Sequence, residues 1–305
     1  GWAASKSIAF DAYHTPKAVN DWLKETANAN SKFARLHKIA VSPGGNPVNL
    51  LEIGPEAGKT KKTLPAVLVV ANMEGTVPVA SEAALYLVKS LLDTPGAHEK
   101  LTWYILPLGN PDAAWNYFKK PLRLDSRNNR SHNDDMDDRT DEDGVEDLDG
   151  NGIITMMRVK HPEGRWIPVP GEPRLMKKAN GLKGEKGLYK LYTEGIDNDK
   201  DGLYNEDGPG GVNLAVNFPH LFRFHTKDGG QWAGSESETF NLFKFVFQRP
   251  EIAMTVYFGH TNFCMAPPKG GRKGQADFSK IKVPKSIGQR LGFDHTKTYT
   301  MDEII

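Results

Sequence analysis

Residues 64–93, LPAVLVVANMEGTVPVASEAALYLVKSLLD, decide the fold of this chain. The segment Ala66–Ala71 is apolar without alternation, which is typical of a strand covered on both faces of a mostly parallel sheet. From Pro78 onward the apolar residues recur with the period of a helix, and proline suits the first helical turn. The sequence therefore predicts a buried strand, a tight loop at 72–77 and an amphipathic helix.

The loop between this strand and helix is where we expect a site. In an open α/β sheet, ligands bind at the carboxyl ends of the strands. The loop carries Asn72, Met73, Glu74 and Thr76, and Glu74 is its only ionisable group. Taken alone, a loop carboxylate is more often a solvated surface group than a site residue, so Glu74 needs support from the rest of the chain.

The remaining segments supply further strands and helices. Helices are predicted at 15–28 and 236–247, the second opened by a capping box, and strands at 34–41, 47–53, 101–106 and 252–258. The segment 110–112, Asn-Pro-Asp, is interpreted as a turn. This order predicts an α/β fold with a mixed sheet between helices, in a single domain over residues 1–305. His260 follows the last strand and is equally well explained as a site residue or as a satisfied polar residue.

Composition excludes several classes of protein. The net charge is +1 over 305 residues, so no overall field favours nucleic acid or a membrane surface. The single cysteine, Cys264, excludes an internal disulfide and a cysteine-based zinc site. No apolar run has membrane-spanning length, and the N-terminus lacks a signal-peptide pattern, as a processed exported protein would. We therefore expect no nucleic-acid partner and no transmembrane segment.

Residues 133–211 form an Asp/Gly-rich insertion with little helix or strand periodicity, so it needs another source of order. The segment 147–154, DLDGNGII, matches a calcium loop at five positions; a second copy begins at Asp197, and a third begins at Asn133. Alternating carboxylates with a glycine let a short loop wrap oxygens around a hard cation. Structural calcium is therefore predicted. The predicted ligands are Asp135, Asp137, Asp141, Asp147, Asp149, Asn151, Asp197, Asp199 and Asp201.

These calcium loops are not EF-hands. Position 12, which carries a bidentate Glu in an EF-hand, is Arg158, Gly144 or Gly208 in the three copies, and no flanking helix pair is evident. Asp-Gly turns on a solvated surface are the alternative interpretation. Ten acids between residues 134 and 149, with Arg139 as the one base, repel one another, which favours a bound cation.

Several segments together resemble a known family. They are YHTPKAVNDWL (13–23), LPLGNPDAAW (106–115), RNNR (127–130), DLDGNGIITMMR (147–158), EGIDNDKDGLYNEDGPGGVNLAVNFPH (194–220) and GSESET (234–239), with the strand, loop and helix described first. With these segments the chain resembles the zinc metallocarboxypeptidases of the carboxypeptidase A and T type, in particular a secreted bacterial branch with Asp-rich insertions. The resemblance implies a three-layer α/β/α domain with a mixed, roughly eight-stranded sheet. It also implies a secreted, periplasmic or cell-surface location after removal of a signal peptide.

The resemblance implies zinc, but this chain departs from the family at the zinc ligands. The family binds zinc with His-x-x-Glu after the first buried strand, where this chain has Glu74 and Val77. The third ligand is a His at the end of a later strand, where this chain has Phe258 or Gly259, with His260 one or two places late. Zinc needs about three protein ligands and an open position for water, so the zinc site is predicted to be degenerate.

The carboxylate clamp of the family is replaced as well. Ala215 and Val216 stand where the family holds the terminal carboxylate of the substrate with an Asn-Arg pair. A neighbouring family Arg is matched by Arg127 or Arg130. The general-base Glu of the family lies on a later strand, which this chain does not reach before Ile305.

Three functions are open. The expected one is a pseudo-peptidase that binds a peptide or other small ligand in the old cleft, lined by Glu74, Met73, Arg127, Arg130 and His260. The second is an active metallocarboxypeptidase with Glu74 and His260 as atypical ligands, which releases C-terminal residues or cleaves cell-wall peptides. The third is another hydrolase on the same scaffold, for which no nucleophile–base pair is visible.

Overall fold

We describe a computed structural model of the chain. It describes residues 7–97, 99–122, 124–133, 139–141, 143–198, 200, 202, 204–205, 207–220, 222, 224–226, 228–260, 281–283, 285, 288–289, 292–300 and 303. The chain divides into two compact units, Gly1–His260 and Thr261–Ile305. None of the helices in the described part has the length and apolar run that crossing a membrane requires.

The first unit contains a main sheet with four α-helices and a smaller second sheet. In chain order its elements are α1 (Pro16–Ala29), β1 (Ala34–Val41), β2 (Pro47–Ile53), β3 (Ala66–Ala71), α2 (Pro78–Asp93), β4 (Thr102–Leu106), α3 (Pro111–Phe118), β5 (Met156–Lys160), β6 (Trp166–Val169), β7 (Glu172–Lys178), β8 (Tyr189–Thr193), α4 (Ser237–Phe247) and β9 (Ile252–Phe258). In the second unit, β10 (Ile281–Lys282) pairs antiparallel with β11 (Thr298–Tyr299).

The main sheet is mixed and has the strand order β1-β2-β4-β3-β9. The strand β3 lies parallel to both β4 and β9, whereas β2 lies antiparallel to β1 and β4. The carboxyl ends of β3, β4 and β9 therefore meet at one edge. The predicted mixed α/β sheet is confirmed, with five strands among the described residues rather than the roughly eight that the resemblance implied.

The core lies on both faces of this sheet, as the unbroken apolar run of β3 predicts. Val67 and Val69 pack with α1 and α2 in one buried cluster. Leu68 and Val70 point to the other face and pack with Leu242 of α4 in a second cluster. Alternate residues of one strand thus anchor two layers of helices, which gives the three-layer α/β/α arrangement.

The insertion has more regular structure than its sequence predicts. Strands β5, β8, β6 and β7 form a four-stranded antiparallel sheet in that order. None of the residues in these strands is fully buried. Because neither face of the sheet is covered by a hydrophobic core, these strands lack the strict apolar alternation by which strands are recognised in a sequence.

Two predictions about helix starts are also corrected. The turn predicted at Asn110 is the start of α3, where the Asn110 side-chain oxygen accepts a hydrogen bond from the backbone N–H of Ala113 at 3.1 Å. The capping box predicted for α4 is absent, because the N-cap residue is Glu236 and its side chain makes no capping bond. The N-cap predicted at Thr15 is confirmed by a 3.3 Å bond from the N–H of Ala18.

Candidate functional site

The loop after β3 is held in one conformation by Asn72. Its backbone N–H donates to the carbonyl of Phe258 at 2.9 Å, its side-chain oxygen accepts from the N–H of Val77 at 3.0 Å, and its amide donates to Oγ of Ser81 at 3.0 Å. Asn72 is buried and has a positive φ of 52°. These bonds tie the loop to β9 on one side and to α2 on the other.

The same loop approaches α3 at Gly75. A Cβ added at Gly75 would lie 2.3 Å from Cβ of Ala113, and its φ is +70°. Only glycine combines that backbone conformation with so close a contact. The glycine thus fixes how closely the loop lies against the helix that follows β4.

Glu74 is hydrogen-bonded to the neighbouring parallel strand. The hydroxyl of Tyr257 donates to Oε1 of Glu74 at 2.6 Å. Burial, and next the bonded carboxylate, raise the pKa of Tyr257 above its ordinary value, so the phenol stays a donor at any physiological pH. Oε2 of Glu74 is buried and has no hydrogen-bond partner among the described residues.

The predicted zinc positions come together at this edge, but their side chains do not fit zinc. Ala71 and Phe258 are register partners on adjacent parallel strands. Val77 and Phe258 are partly buried and pack against the hydrophobic cluster that includes α1 and α2. Neither side chain has a ligand atom, and the one carboxylate, Glu74, is bonded to a phenol. This donor set falls short of the three protein ligands that catalytic zinc requires.

The other cleft candidates lie in different surroundings. His260 is exposed at the end of β9. The Arg127 guanidinium pairs with Asp125 at 2.7 Å, and Nε of Arg130 pairs with Glu236 at 2.8 Å. Met73 is buried in the core cluster beside α4. The arginines instead line a small cavity of about 180 Å³ together with Asp141.

The two residues predicted to stand at the clamp positions carry no polar side chain. Ala215 and Val216 belong to a short 3₁₀ helix, Leu214–Val216, whose preceding Asn213 accepts a bond from the N–H of Ala215 at 3.0 Å. An Arg fork recognises a carboxylate with two parallel bonds. Nothing at these two positions can replace it.

A buried polar cluster was missed by the sequence analysis. Nδ2 of Asn128 donates to Glu236 at 2.9 Å and to Glu238 at 3.3 Å, and both carboxyls are buried. Burial raises the pKa of Glu238 to about 7, with smaller contributions from Asp112 and Glu236. Asn128 is far in sequence from the two glutamates, so no local pattern pairs them. The one available signal was that RNNR and GSESET, the segments that contain these residues, are both among the segments that resemble the family.

The predicted calcium loop at 147–153 is folded around its own carboxylates. The two oxygens of Asp147 accept from the N–H groups of Asn151 at 3.1 Å and Gly152 at 2.7 Å. Asp149 accepts from Asn151 through both backbone and side chain. One carboxylate oxygen each of Asp147, Asp149 and Glu194 lies within 4.8 Å of the others. Glu194 was not predicted, because it comes from the end of β8 and no local spacing marks it.

The other two copies of the pattern contact each other. The buried Asp143 accepts from the N–H groups of Asn198 at 3.0 Å and Asn205 at 2.5 Å, and its own N–H donates to the carbonyl of Asp207 at 3.2 Å. Asp207, which aligns with Asp143 in the repeat, accepts from the N–H of Asp141 at 2.8 Å. The copies are therefore bound to each other by backbone donors.

Of the predicted calcium ligands in these two copies, Asp141 and Asp197 lie among the described residues. The carboxylate of Asp197 accepts from Lys200 at 2.5 Å and from Gly202 at 3.0 Å. The remaining predicted ligands, Asp135, Asp137, Asp199 and Asp201, lie outside the described residues.

Comparison with known proteins gives matches of sequence and of fold. Residues 19–153 match the family model described as zinc carboxypeptidase. No curated protein matches. The carboxypeptidase A of Helicoverpa armigera superimposes with a TM-score of 0.53 at 15% identity, over 86% of this chain and 49% of the other. Thrombin activatable fibrinolysis inhibitor superimposes with a TM-score of 0.52 at 13% identity, over 84% and 49%.

The chain spans about half the length of these two solved structures. At such low identity the structural matches establish the fold alone. The sequence match begins within α1, ends in the predicted calcium loop that starts at Asp147, and includes Glu74 and Val77. Over residues 19–153 the sequence is similar to the zinc carboxypeptidase family, and the fold of the chain is similar to that of the carboxypeptidase A of Helicoverpa armigera.

Proposed function

We propose that this protein is a carboxypeptidase-like protein that does not hydrolyse peptides and that binds a peptide or other small ligand in the old cleft. The bond between Tyr257 and Glu74 carries this proposal. The position matching the first zinc ligand of the family holds a carboxylate, and that carboxylate is bonded to a phenol from the adjacent strand. Val77 and Phe258, at the other two positions, contribute apolar packing.

The second support for binding is the unpaired oxygen of Glu74. A buried polar atom without a partner is costly, and in native structures such atoms are nearly always satisfied. Oε2 of Glu74 has no partner among the described residues, so a donor from a ligand would satisfy it. A ligand with an amine or guanidinium group suits this position better than the free carboxylate that the family clamp would hold.

Structural calcium at the 147–153 loop is part of the same proposal. Asp147, Asp149 and Glu194 place three carboxylates together, and this density of negative charge is relieved by a hard divalent cation. A secreted, periplasmic or cell-surface location remains our proposal, resting on the family resemblance.

An active metallocarboxypeptidase with atypical ligands is the second candidate. The observation that favours it is again Oε2 of Glu74, a carboxylate oxygen that has no hydrogen-bond partner among the described residues. The two candidates differ in what Glu74→Gln does. In the active enzyme it removes a ligand and abolishes peptide hydrolysis, whereas in the binding protein there is no hydrolysis to lose.

The test is release of C-terminal residues from a panel of peptides, in buffer with added zinc, followed by amino-acid analysis. We expect the wild-type chain and Glu74→Gln to give the same background. In parallel, peptides ending in lysine are titrated against both proteins and against Glu163→Gln, a control at an exposed glutamate of the insertion. Weaker binding in Glu74→Gln alone supports the proposal; release that only the wild type shows overturns it.

A further inference from the structure

A cavity of about 670 Å³ lies at the end of the main sheet opposite to Glu74. Its walls come from the loop before β3 (58–62), the loop before β9 (248–251) and the side chains of Arg35, His37, Glu52 and Tyr104. Since β3 and β9 begin immediately after these loops, this basic pocket lies at the amino ends of the parallel strands. It is separate from the cleft at their carboxyl ends.

Five cationic side chains and two carboxylates line the basic pocket. The cations are Arg35, Lys59, Lys61, Lys62 and Arg249, and the carboxylates are Glu52 and Glu251. His37 adds a further group that can carry positive charge. The pocket thus concentrates positive charge in a chain whose overall charge is only +1.

One of the two carboxylates at the floor of the pocket, Glu52, is already paired with a cation. Glu52 is buried and pairs with Lys62 and, at 2.7 Å, with Nε2 of His37. Burial alone would raise the pKa of Glu52, but the bonds from His37, Lys62 and the N–H of Gly58 together lower it. Glu251 accepts from the hydroxyl of Tyr104 at 2.8 Å.

The cations at the rim are not neutralised. The side chains of Arg35 and Lys61 form no hydrogen bond or ion pair with any part of the chain that the structure describes. Arg249 is held in place by a 3.0 Å bond to the carbonyl of Phe245, with its guanidinium 3.5 Å from the centre of that ring. The rim therefore carries unpaired positive charge, and the guanidinium of Arg249 is held in a fixed position there.

The loop that carries Lys59 and Lys61 is ordered without any ligand. The buried Glu56 accepts from the N–H of Thr63 at 2.8 Å and from its hydroxyl at 2.7 Å. These bonds lower the pKa of Glu56 to about 2, so it stays ionised and keeps its hydrogen bonds. Gly58 has a φ of +77° and would place a Cβ 2.8 Å from Nη1 of Arg35, so the arginine lies directly against the loop.

We propose that the basic pocket binds a small, multiply charged anion that carries phosphate or carboxylate groups. Its volume is in the range of small-molecule sites. Arginine and lysine at the rim supply the donors that such groups prefer, and the five cationic side chains outnumber the two acids, so positive charge is in excess. The proposal does not depend on Glu74 or on any remaining peptide chemistry.

Isothermal titration calorimetry of the full chain at low ionic strength tests the proposal, with pyrophosphate and citrate as separate probes. We expect saturable binding of one molecule per chain, weakened about tenfold or more by the double variant Arg35→Gln, Lys61→Gln. Whichever of pyrophosphate and citrate binds more tightly shows whether phosphate or carboxylate is the preferred group. Arg35 and Lys61 are both exposed, so we expect the double variant to fold, and circular dichroism checks that it does. The double variant Lys59→Gln, Lys61→Gln is a second test of the same pocket.

Lys38→Gln is the matched control. Lys38 is an exposed cation of β1, the strand that carries Arg35, but Lys38 does not line the pocket. We expect its affinity for either probe to stay within about twofold of wild type. The proposal is overturned if neither probe saturates, if the pocket variants bind as well as wild type, or if Lys38→Gln weakens binding as much as they do.

Discussion

The hydroxyl of Tyr257 donates a 2.6 Å hydrogen bond to the carboxylate of Glu74, linking β9 to the loop that follows β3. Tyr257 lies one residue before the end of β9, and Glu74 lies three residues after the end of β3. A Cβ at Gly259 would lie 2.3 Å from the Tyr257 ring, so the chain after β9 leaves no room for a larger residue there. An internal hydrogen bond thus bridges β9 and the loop after β3 at the carboxyl ends of these strands.

Tyr257→Phe should destabilise the protein. Removing the phenol leaves the Glu74 carboxylate without its one described donor, and a partly buried carboxylate that loses its partner costs about 1–3 kcal/mol. Urea unfolding followed by circular dichroism measures the loss. Tyr86→Phe, at an exposed tyrosine of α2, is the control and should change the free energy of unfolding by less than about 0.5 kcal/mol. Equal stability of the two variants would show that the bond contributes little.

Gly75→Ala should be more destabilising than Gly45→Ala. Both glycines have φ above +60°, so alanine costs about 1–2 kcal/mol of backbone strain at either position. At Gly45 the new methyl group meets nothing within 4 Å, whereas at Gly75 it collides with Ala113, which adds about 1–3 kcal/mol. Urea midpoints of the two variants measure the difference. Similar midpoints would contradict the close approach of the loop to α3.

Glu238→Gln should stabilise the protein at pH 8 but not at pH 4. Because burial raises the pKa of Glu238 from 4.5 to about 7, the folded chain binds a proton there that the unfolded chain does not bind between these values. The contribution of Glu238 to stability therefore falls as pH rises through this window, a cost on the order of 2–3 kcal/mol above pH 7. Glutamine carries no charge, so it avoids that cost.

Unfolding curves of wild type and Glu238→Gln between pH 4 and pH 8 test this prediction. Asp112 and Glu236, both buried nearby, contribute to the raised pKa, and they stay unchanged in the variant. The exposed Glu163→Gln controls for the loss of one negative charge and should show no such pH dependence. A stability difference that is constant across pH would refute the assignment.

Calcium should raise the melting temperature of the protein, and chelation should lower it. A ligand that binds the folded state alone stabilises it by mass action. Replacing Asp147 and Asp149 together by asparagine keeps one of the two acceptor oxygens of each side chain and removes two charges, so the calcium-dependent shift should shrink. Asp21→Asn, at an exposed position of α1, is the control. A melting temperature that calcium does not change would contradict the proposed calcium site.

The regular part of the fold was predictable because its local signals and its burial agree. The run at Ala66–Ala71 is apolar since both faces of β3 are covered, and Thr15 with Pro16 marks the start of α1. At α3 the same kind of signal was read as a turn, although Asn110 and Pro111 are as good a cap and first residue. An Asn-Pro pair begins either a turn or a helix, and the sequence downstream decides between them.

The site was only half predictable. The loop with Glu74 could be placed because it follows a recognisable strand, but its partner Tyr257 lies 183 residues away and nothing in the sequence pairs them. Glu194 joins the calcium loop from the end of β8, in the sheet that its exposed faces made hard to recognise. Contacts between distant segments depend on the topology of the sheet, which single-sequence patterns do not specify.

The zinc content of the full chain tests the central claim most directly. The protein is equilibrated with excess zinc and separated from free metal by gel filtration. Elemental analysis then gives the zinc concentration, and absorbance gives the protein concentration. Since the positions of Glu74, Val77 and Phe258 offer one carboxylate and two apolar side chains, we expect far less than one zinc per chain, unchanged in Glu74→Gln. One zinc per chain in the wild type, lost in Glu74→Gln, would contradict the account.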